Sequence, residues 1–228
     1  MNPIPNQIEN RDYKSKIKGT LLTFIIYLAA AIAVFIFLNL VDTLVIKYFF
    51  DHSILEQLKL SNKNINKEFG RYSFLIIVLF GPLYEEVIFR LPLKLEKVGI
   101  GISVGLIFYR LLVKHIFIFE FADPYAYVKV VMALIVTLLI AKFLPIVWLT
   151  YLKKNYFYFF YLIAIIFALV HVGNFDYYNN SVLLFYPLFT LPQFLMALLI
   201  GYTRIEFGFF YGVALHSLIN LPSFLLNL

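Results

Sequence analysis

Hydrophobic residues fill this chain in long runs separated by short polar stretches, and the length of those runs is its strongest signal. Seven of them approach or exceed the roughly 20 residues that a helix needs to cross a bilayer: 21–46, 72–93, 98–119, 130–149, 157–172, 182–202 and 207–226. They predict an all-α fold, a polytopic transmembrane helix bundle of about seven to eight spans. A polar segment long enough to fold by itself is nowhere evident. The chain therefore reads as a cytoplasmic N-terminal segment, 1–20, followed by a single multi-pass membrane domain, 21–228.

Composition strengthens that reading. The 228 residues are 62% hydrophobic and 14% charged, with a mean hydropathy of +0.86, more apolar surface than a soluble domain of this size can bury. Arg11, Lys14, Lys16 and Lys18 precede the first run, which continues past Ala29-Ala30-Ala31 to Ile46. That length predicts an uncleaved first span rather than a signal peptide. A cytoplasmic N-terminus then puts Arg90, Lys94, Lys97, Lys153, Lys154 and Arg204 inside, and Glu120, Asp123 and Asp176 outside, as the positive-inside rule expects. The mixed segment 47–71, with Lys59, Lys63 and Lys67, is the exception. The net charge of +6 is scattered between apolar runs, so it belongs to loops beside the bilayer and not to a nucleic-acid surface. The absence of cysteine rules out a disulfide or a thiolate nucleophile.

Against this background the residues that carry information are polar ones inside apolar runs, because ionisable groups at membrane depth are costly. Gly81-Pro82-Leu83-Tyr84-Glu85-Glu86-Val87-Ile88-Phe89-Arg90 holds three charges. Pro82 suits the first turn of a helix, so the helix is expected to restart here with its carboxylates near the positive end. Glu86 and Arg90 are four apart and should pair. Glu85 points about 100° away and has no local partner. A structural ion network would use the same residues. Two further sites are Phe167-x-x-x-His171, at the end of the fifth run, and His216-x-x-x-Asn220 in the last, where Gly208, Gly212, His216 and Asn220 form one stripe suited to close helix packing. Taken singly, each histidine would be read as a hydrogen-bonded packing residue.

The ordered set Glu85-Glu86-x-x-x-Arg90, Phe167-x-x-x-His171 and His216-x-x-x-Asn220 resembles the three motifs of the CPBP family. This family of intramembrane proteases includes the CAAX prenyl endopeptidases and bacteriocin-processing enzymes. The resemblance covers 72–226. It departs from the family in the long separation between Glu85 and His171, which contains two extra apolar runs, and in Leu91, where glycine is usual. Rival protease motifs fit less well. H-E-x-x-H is absent, and Ser103, among Gly99, Gly101 and Gly105, suits a close-packing face better than a nucleophile.

The resemblance implies an intramembrane endopeptidase acting on a membrane-associated peptide or protein, in the bacterial inner membrane. Glu85 would be the general base for a water shared with His171, His216 and Asn220 would stabilise the oxyanion, and Glu86 and Arg90 would support them. No cofactor is required on that scheme. In the alternative, His171 and His216 with a carboxylate hold a divalent metal such as zinc. A transporter or channel using the buried charges, and a non-catalytic bacteriocin-immunity protein, are the rival functions. Two expectations remain for the structure. Arg110, Lys114 and His115 are read as lining a wet interior or pairing with acids such as Glu120, while Asp42 is ambiguous. Glu85 and His171 also fall at different depths of their spans, so they can meet only if the Gly81-Pro82 segment re-aims its helix or the boundaries shift by a turn or two.

Overall fold

The structure, a computed structural model, describes residues 12–113, 124–175 and 179–226. Every regular element among them is helical. Helix α1 (Tyr13–Val41) runs through a π-helical turn (Asp42–Lys47) into the short α2 (Tyr48–Phe50). The combined run of 38 residues is about 57 Å long at 1.5 Å per residue, well beyond a hydrocarbon core of about 30 Å. Asp51, in the left-handed conformation, ends it and turns the chain into the amphipathic α3 (Ile54–Phe69). The remaining helices are α4 (Gly81–Arg90), α5 (Lys97–Leu112), α6 (Pro124–Phe143), α7 (Ile146–Lys154), α8 (Tyr156–Val170), α9 (Leu191–Phe207) and α10 (Phe209–Leu226).

Four helical runs among the described residues are long and apolar enough to cross a membrane: Tyr13–Phe50, Pro124–Phe143, Tyr156–Asn174 and Leu188–Phe207. Large apolar side chains stand exposed along them, including Ile25, Leu138 and Phe157, as lipid-facing surfaces require. The other three expected spans fall on shorter helices. The expected span 130–149 is divided by Pro145, which separates α6 from α7. Lys114, His115, Glu120, Asp123 and Asp176 lie outside the described residues.

Successive long helices run in opposite directions. Gly19 near the start of α1 packs on the ring of Phe207 at the end of α9, and the Tyr156 hydroxyl donates to the Leu93 carbonyl at 3.0 Å. These contacts define one end of the bundle. At the opposite end Asp42 accepts from the Ser53 hydroxyl (2.6 Å) and the Ile54 amide (2.8 Å). Asp42 thus ties α3 to the π turn of α1, which resolves its ambiguity in favour of a structural role. The Tyr186 hydroxyl adds a bond to Gln57 (3.0 Å), and Leu38, Ile46, Ile54, Phe175 and Phe189 close an apolar core there. The main core, between α4, α8, α9 and α10, contains Phe89, Phe167, Ala197, Ile200 and Leu215.

The glycine-rich start of α5 packs on both sides. Gly101 and Gly105 face α6, where a β-carbon would lie 2.7 Å from the Thr137 carbonyl oxygen in one case and run into the Thr137 side chain in the other. Gly99 and Ser103 face the end of α4, with the Ser103 hydroxyl donating to the Ile88 carbonyl. Ser103 is therefore a packing residue. We expect Gly105→Val to destabilise the fold by about 2–3 kcal/mol through overpacking, read as a lower melting temperature in detergent. Gly173→Ala, with nothing described within 4 Å of the new carbon, should leave it unchanged.

Candidate active site

The backbone that presents the acid pair departs from a regular helix. Residues Leu75–Phe80 form a π-helical turn, and the Gly81 amide donates to the Ile76 carbonyl five residues back. Continuing that pattern, the Ile77 carbonyl would take its proton from residue 82, which is proline and has none. The Asn220 side-chain amide supplies it instead, at 3.0 Å. Phe80 and Gly81 both keep helical dihedrals, so the helix widens here and does not restart. This corrects the expectation of a fresh N-terminus: the carboxylates of α4 gain nothing from a helix end and depend on side-chain partners.

Glu86, on α4, is fully buried and finds three neighbours. Its Oε2 lies 3.5 Å from Arg90 Nε, the pairing expected from their spacing, and its Oε1 lies 3.0 Å from His216 Nδ1. Gly212, one turn before His216 on α10, lines the same carboxylate, and a β-carbon there would stand in ordinary contact with Oε2 at 3.6 Å. Arg90 is 1% exposed, and its guanidinium lies over the ring of Phe167, 4.7 Å from the centroid. A cation over an aromatic face recovers part of the hydration it has lost.

Glu85 faces the other way on α4, about a third exposed as a side chain. Its Oε2 atom is nevertheless buried and has no hydrogen bond among the described residues. It lies 3.8 Å from His171 Nε2 and 3.7 Å from His216 Nε2. The second nitrogen of each ring is already engaged. Nδ1 of His171 donates to the Phe167 carbonyl at 2.8 Å, since a carbonyl can only accept. Nδ1 of His216 is the atom bonded to Glu86. Both rings are thereby fixed with Nε2 turned toward Glu85, the outer-partner arrangement that orients reactive histidines.

The depth mismatch between Glu85 and His171 disappears for a geometric reason. Side chains lean toward the N-terminus of their own helix. Helix α4 runs away from the end where His171 lies and α8 runs toward it, so Glu85 leans up and His171 leans back. The His171 bond to the carbonyl four residues earlier fixes that return.

Five of the six expected residues thus belong to one connected cluster, in two tiers. Glu85, His171 and His216 converge on a single point, Glu86 and Arg90 lie behind them, and Asn220 is engaged with the Ile77 carbonyl. The reading from sequence did not foresee the role of Phe167, whose ring is also in contact with His171 (4.7 Å between ring centroids) and stands edge-on to His216 (6.0 Å). Its spacing of four from His171 was the available signal. The Ile77 carbonyl was missed as well, although Pro82 implied an unpaired acceptor upstream. Arg110 is exposed and donates to the Val113 carbonyl at the end of α5, apart from the cluster. Among the described residues no three His, Asp or Glu side chains are grouped closely enough to hold a metal ion as they stand.

Comparison of the chain with protein-family models, curated proteins and solved structures gives no match. The residues and their geometry therefore carry the functional reading by themselves.

Because Glu86 is buried between two groups that answer its charge, Arg90→Met should cost about 3–5 kcal/mol, the penalty of leaving one member of a buried pair alone. Glu85→Gln, at a partly exposed position, should cost less than about 1 kcal/mol. Thermal or denaturant unfolding in detergent reads the difference, and equal losses for the two variants would contradict the two-tier arrangement.

Proposed function

We propose that this protein is an intramembrane endopeptidase of the CPBP type, hydrolysing a peptide bond of a membrane-associated peptide or protein. The observation that carries the reading is the convergence of His171 Nε2 and His216 Nε2 on one buried oxygen of Glu85, with both rings held from behind. A structural ion pair needs one partner. Here a carboxylate and two imidazole nitrogens are aimed at a common point, and their separations leave room for a bridging water.

The chemistry follows from what each group can do. A water between Glu85 and His171 donates to both. Glu85 takes its proton as the oxygen attacks the substrate carbonyl carbon. With both nitrogens protonated, His216 donates Nδ1–H to Glu86 and Nε2–H to the oxyanion that forms on the carbonyl. Collapse of the tetrahedral intermediate breaks the C–N bond, and the proton held by Glu85 passes to the leaving amine. Glu86 and Arg90 keep His216 in place. We assign Asn220 to holding the π turn of 75–80; its second amide hydrogen is the one left for the oxyanion. No cofactor is needed on this scheme, although the same two histidines and Glu85 are the donor types a zinc ion would use. The substrate's scissile bond has to reach membrane depth, so its partners are the bilayer and a peptide or membrane-protein tail.

We further read 75–90, α5 and α10 as additional traverses, giving seven, with the N-terminus cytoplasmic. The ends brought together by Gly19 with Phe207 and by Tyr156 with Leu93 support this alternation.

In detergent, the purified protein is expected to cleave members of a quenched fluorescent peptide library. Glu85→Ala and His171→Ala should each lower the rate by at least about a thousandfold with an unchanged melting temperature. Cleavage that survives a strong chelator supports the metal-free scheme, and loss restored by zinc assigns the histidines to a metal. Undiminished cleavage by either variant would overturn the proposal. Absence of cleavage together with Glu85-dependent ion flux into liposomes would make the protein a transporter, and bacteriocin protection that persists in Glu85→Ala would make it a binding protein.

A further inference from the structure

Outside the residues already assigned, two side-chain oxygens are buried without a hydrogen-bond partner among the described residues: Thr203 Oγ1, one turn from Phe207 on the side of α9 that packs on α1, and a glutamine oxygen on the side turned toward the site. The latter is Oε1 of Gln193, near the start of α9. A buried carbonyl-type acceptor without a donor is destabilising, and native structures contain few. Such a group persists where something other than the fold uses it.

Its position follows from packing contacts of α9. Gln193, Ala197, Ile200 and Arg204 are spaced four, three and four apart and share one helical face. That face looks into the site. Ala197 and Ile200 lie in the core with Phe167 and Leu215, and Ile200 and Arg204 flank Gly212, whose β-carbon position also meets Glu86. The depth of Gln193 can be read from the antiparallel neighbours. Gly201 packs on the Phe160 ring of α8. Eight residues back along α9 and eight forward along α8, Gln193 is level with Ala168, between Phe167 and His171. The corresponding count from Gly212 brings it level with Asn220, about a turn beyond His216. Gln193 therefore stands within about one turn of His171 and His216 along the bundle, on the wall that α9 contributes.

We infer that Gln193 is a substrate-positioning residue: its Oε1 accepts a backbone N–H of an extended peptide beside the scissile bond, and its amide nitrogen is free to donate to a carbonyl of the same strand. A primary amide matches the donor and acceptor of a peptide unit whatever the substrate side chains are. It also cannot take a proton from the water that Glu85 activates, so the two acceptors do not compete. The inference rests on the peptidase reading and adds to it how the peptide is held.

The test uses the full-length protein and Gln193→Leu, which removes the acceptor and keeps the volume. Because the orphan acceptor is lost, the melting temperature of Gln193→Leu should equal or exceed that of the wild type. A residue that merely held the fold would lower it. For the best-cleaved library peptide, Gln193→Leu should lose at least about tenfold in kcat/KM, mostly through KM. A set of peptides N-methylated one residue at a time should contain one member that loses as much with the wild type but nothing further with Gln193→Leu. Losses that add for every member, or no loss in Gln193→Leu, would overturn the inference. The same peptides are also titrated onto Glu85→Gln and Glu85→Gln/Gln193→Leu by fluorescence anisotropy, where no hydrolysis is involved. Discrimination in binding without cleavage by the wild type would remove the peptidase reading and keep the Gln193 contact; no discrimination in binding would remove the contact irrespective of cleavage.

Discussion

The arrangement of this bundle depends on a carboxylate that water does not reach. Glu86 is 0% exposed, and at that depth an isolated charge would cost several kcal/mol. Arg90 answers it along the same helix and His216 answers it from α10. Arg90, itself buried, in turn needs the face of Phe167 on α8. One buried charge thus specifies the relative positions of three helices. Each contact that solvates it also brings a member of the upper tier into place, since Phe167 leads to His171 and His216 leads directly to Glu85. The buried core and the candidate site here draw on the same side chains, with different faces turned toward each.

The π turn before Pro82 is the second constraint. Proline removes a backbone donor and would ordinarily bend or end a helix. Widening the helix by one residue over 75–80 moves the defect onto a single carbonyl, Ile77, and Asn220 covers it. An extra residue in the turn also rotates everything downstream, and this sets which way Glu85 and Glu86 face. A polar side chain that looks like part of a catalytic motif is in this respect a splint for the helix carrying the acids. π-helical turns are often found next to functional sites, and in this chain the physical link is explicit.

Much of the candidate site was legible from the chain alone because charge within an apolar run is a strong signal. The Glu86 to Arg90 pair, the separate direction of Glu85 and the presence of two histidines could all be read from spacing. The depth of each residue could not. Hydropathy marks where a span lies but not how side chains lean, and the apparent distance between Glu85 and His171 came from treating both as points on their helix axes. The boundaries suffered for a similar reason: α1 is longer than its apolar run because Tyr13–Gly19 packs against α9 and α10, which no local property reveals. The segment 47–71, mixed in charge and hard to place in a topology, is largely one amphipathic helix held at its start by Asp42. Its polar composition gave no hint that a buried carboxylate elsewhere would define its first residue.

Helices α5 and α6 separate Glu85 from His171 along the chain, yet they form an excursion that closes on itself. It departs after Leu93, and the chain is back beside the same carbonyl at Tyr156, with Gly101 and Gly105 of α5 packed closely on α6 along the way. Helix α5 stays tied to α4 through Gly99, the Ser103 bond to the Ile88 carbonyl and the Tyr84 hydroxyl beside the Leu106 carbonyl. Variation in length is therefore confined to the chain beyond that contact, provided that it returns to Leu93. Sequence distance between the two halves of the site is consequently set by how the chain returns to Leu93 and not by the contacts within the site.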